Sequence, residues 1–158
     1  MYSLQISLLF HILGIGMILT TILGGWIVDA KYRKASDWGT KLILLGVLRP
    51  IGLLSPISVL VMLLTGATNM HLVGLGLFSA AWLTLKLVFF VLMVISGVLS
   101  GIKGTRRTKL VTQFAAGNPP ANGETALRSL DNQQRVFFIV QMVLLLIIIS
   151  LSLIRPSA

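Results

Sequence analysis

Two ionisable side chains, His11 and Lys86, fall inside the apolar cores of a chain that is 56% hydrophobic, Arg49 being counted with the basic residues of the first connection. An ionisable group at such depth is costly in hydrocarbon and is by default a functional suspect. On a helix, His11 shares a face with Ser7 one turn before it and with Gly14 and Ile15 one turn after. A neutral imidazole can ligate haem iron, and a glycine beside it leaves room for a flat macrocycle against the backbone. The competing reading is a packing histidine, hydrogen-bonded to a hydroxyl or carbonyl of a neighbouring helix. Lys86 has Trp82 one turn outward and Phe89 and Phe90 one turn inward. Its ammonium can hold a carboxylate of a bound molecule, contact the aromatic faces, or snorkel to the interface. Met70 and His71 are candidate copper ligands, and His71 could also cap the outer face of a haem. A lone Met-His pair reads equally as an ordinary interfacial loop, because metal sites need several converging ligands.

The composition says what must position these residues. With 158 residues, 11% of them charged, and a mean hydropathy of +0.95, there is little material for a soluble core wrapped in polar surface. One membrane domain over residues 1–158 is the expected organisation, with the lipid bilayer as its solvent. The absence of cysteine excludes disulfides, thiolate metal sites, iron–sulfur clusters and covalent haem attachment, so any metal or haem must be held by His, Met, Lys or carboxylates. A net charge of +9 would suggest nucleic acid in a soluble chain, but here the basic residues flank the apolar spans. Membrane topology explains them without a nucleic-acid partner. Proton pumping through acids in the membrane is disfavoured, since Asp29, Asp37, Glu124 and Asp131 all lie at or beyond the ends of the spans. No serine, histidine and acid constellation or phosphate-binding glycine loop is present.

Four stretches are apolar enough to cross a hydrocarbon core that needs roughly 20 helical residues. They run from about Leu4 to Val28, Leu42 to Leu64, Trp82 to Ile102 and Val136 to Ile154. No positive residue precedes the first, which argues against a cleaved signal. For the second, a helix beginning near Asp37 and running through Pro50 and Pro56 is preferred to a short one opening at Pro50. The run from Gly117 to Gly123 reads as a turn and as the most mobile segment. After it, Glu124 with Arg128 and Asp131 with Arg135 are acid-first pairs that extend the fourth helix.

Lys and Arg crowd the first and third connections, while the second, from Ala67 to Ala81, has none. The positive-inside rule then makes the first and third connections cytoplasmic and puts both termini on the outer, periplasmic side. His11 and Lys86 would lie at similar depth near that outer face, with Arg155 beyond them. The expected fold is an all-α, antiparallel four-transmembrane-helix bundle. Gly97 and Gly101, with Ser96 and Ser100 beside them, suggest a close helix contact, as do Gly14, Gly16, Gly24 and Gly25. Ser96 and Gln141 are expected interhelical hydrogen-bond partners.

At these residues the chain resembles a known family. Leu9-Phe10-His11-Ile12, Thr65-Gly66, Trp82-Leu83-Thr84-Leu85-Lys86-Leu87 and Arg155-Pro156 look like the HemJ-type protoporphyrinogen oxidases. Related uncharacterised four-helix families and the CopD copper-resistance membrane domain share parts of the pattern. The resemblance covers most of the chain. It implies a bacterial inner-membrane bundle that binds b-type haem and oxidises a porphyrinogen, with His11 and Lys86 matching the essential histidine and lysine. Thr84 and Ser96 depart from it, standing where the enzymes often have histidine, and a non-enzymatic branch accommodates that. Two function classes follow. One is a haem- or porphyrin-binding redox protein that uses His11, Gly14, Trp82 and Lys86 and passes electrons to quinone or another carrier. The other is an accessory subunit of a larger respiratory or photosynthetic complex, or a homo-oligomer.

Overall fold

A backbone in hydrocarbon must satisfy its own hydrogen bonds, and an apolar chain without strand-like alternation does so as helices. The computed structural model describes residues 2–76 and 78–153, and it contains four helices: α1 (Tyr2–Lys34), α2 (Trp38–Val73), α3 (Ala81–Ala115) and α4 (Gly123–Leu153). All four are long and apolar enough to cross a membrane. Their outward faces carry residues such as Leu9, Phe10, Ile43, Leu64, Val98 and Leu146, which is the all-round apolar surface of a helix solvated by lipid.

The helix ends follow local chemistry more than hydropathy. Asp37 precedes α2 in extended backbone, and its Oδ1 accepts from the Thr40 N–H at 2.7 Å. That hydrogen bond holds its carboxyl below the ordinary carboxylate range. Helix α2 then continues through Pro50 and Pro56, as the longer-helix reading requires. The carbonyls that lose a donor to these prolines belong to Gly46 and Gly52, the residues best able to absorb a bend.

At its far end α2 runs nine residues past the expected Leu64 and stops at Gly74, whose φ of 73° suits glycine. Gly74 N–H reaches His71 O at 3.2 Å and Leu75 N–H reaches Met70 O at 2.9 Å, a Schellman stop that satisfies the last carbonyls. The connection expected over 67–81 therefore shrinks to 74–80, and Met70 and His71 lie in the final turns of α2 rather than in a loop. Helix α3 likewise passes Ile102 to end at Ala115, before Gly117 at φ 74°. Ile154, Arg155 and Pro156 lie outside the described residues.

Contacts order the bundle. Ser7 and His11 meet Thr65, Gly14 meets Met62, and Thr21 meets Ile51, so rising numbers on α1 face falling numbers on α2. The same holds for α3 and α4, where Gly97 lies by Gln141, Ser100 by Gln134 and Phe114 by Gly123. Each helix also touches a member of the other pair, α2 against α3 and α1 against α4. Two apolar cores result. One, around Ile18, Ile22, Met62, Phe90, Met93, Leu144, Leu145 and Ile148, fills the apolar middle. The other, around Tyr32, Leu45, Val111 and Leu127, sits at the end where the basic residues gather, and there Trp38 stacks on Phe114 at 4.5 Å. Helices of 31 to 36 residues are about 47 to 54 Å long, against about 30 Å of hydrocarbon. The second core holds the surplus together.

The tight helix contacts are not at the G-x-x-x-G. A Cβ on Gly97 would stand 3.9 Å from Gln141 Nε2 and Ser55 Oγ, an ordinary contact, and Gly101 faces open space. Close approach occurs at Gly25, where a Cβ would fall 2.7 Å from the Phe138 ring. Gly25→Ala should therefore destabilise the bundle by about 1–3 kcal/mol, since a packed ring must shift. Thermal unfolding in detergent should show the loss, with partial recovery in the Gly25→Ala/Phe138→Leu double variant.

Candidate functional site

The sequence placed His11 on α1; the fold supplies its partner from α2, 54 residues away. Thr65 Oγ1 donates to Val61 O at 2.7 Å, which commits the single hydroxyl proton. The 2.8 Å contact between His11 Nδ1 and the same Oγ1 must then be donated by the imidazole. The proton is thereby assigned to Nδ1, and Nε2 is left as the lone-pair atom. Ser7 Oγ reaches Thr65 O at 3.3 Å, and Gly66 lies beside the ring, its Cβ position 3.8 Å from His11 Cε1. Thr65 and Gly66 are thus the immediate surroundings of His11. The imidazole is half-buried.

Lys86, near the start of α3, is also half-buried. Trp82 stands half-buried one turn before Lys86, and Phe90 is buried one turn after it. Gly14 does not offer the room expected of it. A Cβ there would lie 2.8 Å from Met62 Cγ and 3.4 Å from Val61 Cγ1, so its open side is filled by α2. His71 is exposed at the end of α2, and the described residues hold no group of three or more His, Cys, Asp or Glu side chains able to bind a metal.

A second polar site escaped the sequence reading. Arg107, in the basic run beyond the third apolar stretch, is only 1% exposed, and Asp29 is fully buried. Arg107 Nη1 donates to Asp29 Oδ1 at 2.6 Å and Nε donates to Asp131 Oδ1 at 2.6 Å. The guanidinium also lies over the Tyr32 ring, 3.8 Å from its centroid. Arg33 Nη2 is 2.9 Å from Asp29 Oδ2, but without the alignment of a hydrogen bond. Asp131 thus pairs across helices with Arg107 rather than along α4 with Arg135, and Glu124 and Arg128 form no ion pair among the described residues.

Deeper along the same seam, Gln134 Nε2 donates to Ser100 Oγ at 2.6 Å. That is the interhelical polar contact expected of Ser96 and Gln141; Ser96 Oγ is buried and makes no hydrogen bond. One signal could have exposed this seam. Ser96, Ser100 and Arg107 on α3, and Asp131, Gln134 and Gln141 on α4, recur at helical spacing and form one polar stripe on each helix.

No family model, curated protein or solved structure matches the chain. The fold itself defines the class, an integral membrane protein of four apolar helices.

Truncating Arg107 would leave Asp29 buried without its closest partner, a loss of about 3–5 kcal/mol. Arg107→Met should therefore lower the unfolding midpoint sharply. Replacing Arg107, Asp29 and Asp131 together by apolar residues should recover most of the loss, as read by tryptophan fluorescence during denaturation in detergent.

Proposed function

We propose that this protein binds a b-type haem or a related porphyrin in the membrane and serves a redox role. His11 Nε2 would hold the iron of such a group, and Lys86 would pair with a carboxylate of the macrocycle. The observation that carries the reading is the hydrogen-bond relay from His11 Nδ1 to Thr65 and on to Val61. A ligating histidine characteristically donates its other ring N–H to a fixed acceptor, which sets the tautomer and raises the basicity of the ligand nitrogen. The donor set is compatible with the group. Imidazole suits haem iron, and a nearby ammonium suits a propionate. Gly66 lies against the ring edge, whereas Gly14 takes no part because Met62 occupies its open side.

When bound, such a group supplies one-electron redox chemistry. The chain's own residues fix its position and neutralise its acidic edge, and Trp82 offers an aromatic face one turn from Lys86. Quinone is the proposed electron acceptor. The proposed setting is a bacterial inner membrane, with the basic end in the cytoplasm and both termini outside, by the bias of Lys and Arg.

Absorbance spectra of the protein purified in mild detergent after haem-supplemented expression test the proposal. A Soret band with a sharpened α-band on reduction is expected, and His11→Ala should lose both while keeping its helical circular dichroism. A colourless, folded wild-type protein overturns it. Thr65→Val removes the acceptor for Nδ1 and should weaken haem affinity by about 10- to 100-fold, measured by competitive haem transfer.

A further inference from the structure

Several buried polar atoms between the basic end and the middle of the bundle make no hydrogen bond within the protein. Among the described residues these include Tyr32 OH, Arg107 Nη2, Gln134 Oε1 and Ser96 Oγ, all on side chains more than nine-tenths buried. Buried polar groups are satisfied in the great majority of cases, and where protein does not serve them ordered water does. These four are not scattered. Tyr32 lies beside the Arg107 guanidinium, Gln134 is one turn along α4 from Asp131, and Ser100, bonded to Gln134, is one turn along α3 from Ser96. Past Ser96, Gln141 Nε2 and Ser55 Oγ approach Gly97 from opposite helices.

The geometry points to a water-filled half-channel along the α3–α4 seam. It has its mouth at Asp131, whose side chain is 24% exposed, and it ends near Ser96 in the bundle interior. From Arg107 to Ser96 the path follows eleven residues of α3, about 17 Å at the helical rise, or roughly half the hydrocarbon thickness. The mouth carries two carboxylates against three cations. Asp29 and Asp131 face Arg107 and Arg33, with Lys41 acting on Asp131 from α2. Along the seam itself the orphaned Tyr32 and Ser96 hydroxyls, Arg107 Nη2 and Gln134 Oε1 mix donors with acceptors, which water suits. Phe138, packed into Gly25, shuts the seam from the α1 side. Chemistry in the interior that takes up or releases protons would exchange them with the basic end. The inference does not depend on what His11 binds.

Radiolytic hydroxyl labelling with mass spectrometry, on the full chain in lipid nanodiscs, reads such water directly, because side chains beside ordered water are modified despite their burial. Met93 is one turn from Ser96 and Met62 fills the Gly14 contact between α1 and α2, and both are buried. Wild-type protein should oxidise Met93 several-fold faster than Met62 and should label Tyr32 readily. Pulses in oxygen-18 water should place the heavy isotope on both Met93 and Tyr32. In Gln134→Leu or Ser100→Leu the Met93 signal should fall to that of Met62 while Tyr32 stays labelled. Equal rates at Met93 and Met62 in the wild type, together with a silent Tyr32, overturn the half-channel and leave a dry ion cluster.

Discussion

One guanidinium ties together three of the four helices. Arg107 on α3 is held by Asp29 from α1 and Asp131 from α4, and it lies on the ring of Tyr32. A buried ion pair of this kind adds little net stability over a well-packed apolar alternative, but it tolerates very few arrangements, because any slip of a helix leaves a charge unpaired in a low dielectric. Lipid-facing helices gain no hydrophobic drive from packing on each other, since lipid tails are as apolar as leucine. In such a bundle the directional contacts must specify register. The Arg107 cluster does so at the basic end, and the Ser7, His11 and Thr65 contacts do so between α1 and α2 toward the other.

The outline of the fold was legible because hydropathy reports it. Four apolar stretches become four helices, and α2 is long because Asp37 supplies a cap and a proline removes only one helical bond. The ends were less legible. Hydropathy measures preference for lipid, whereas helices continue until their carbonyls find other donors, as at Gly74 and Gly117. The polar extensions of α1, α3 and α4 persist because Tyr32, Val111 and Leu127 pack together beyond the most apolar segments.

The candidate site was half legible. His11 and Lys86 stood out as ionisable groups in apolar sequence, but nothing local to His11 identifies Thr65 as its acceptor. Arg107 was hidden for the opposite reason. It sits beside Arg106 in a run of basic residues, and only packing separates the exposed Arg106 from the buried Arg107. Gly14 shows a related ambiguity. A small residue beside a histidine can make space for a ligand or for a neighbouring helix, and here Met62 takes the space.

The engagement of the acids has a consequence for the protein's electric field. The chain has four acidic residues against thirteen Lys and Arg. Asp29 and Asp131 are spent on Arg107, and Asp37 on the start of α2. Glu124 alone is left to oppose the remaining cations of the basic end. The potential there is consequently governed by dissolved salt rather than by the protein's own carboxylates. At physiological ionic strength it decays over about 8 Å, and in dilute buffer it reaches several times further. The ionic strength of the surrounding solution therefore sets how far from its surface this end of the molecule attracts anionic groups.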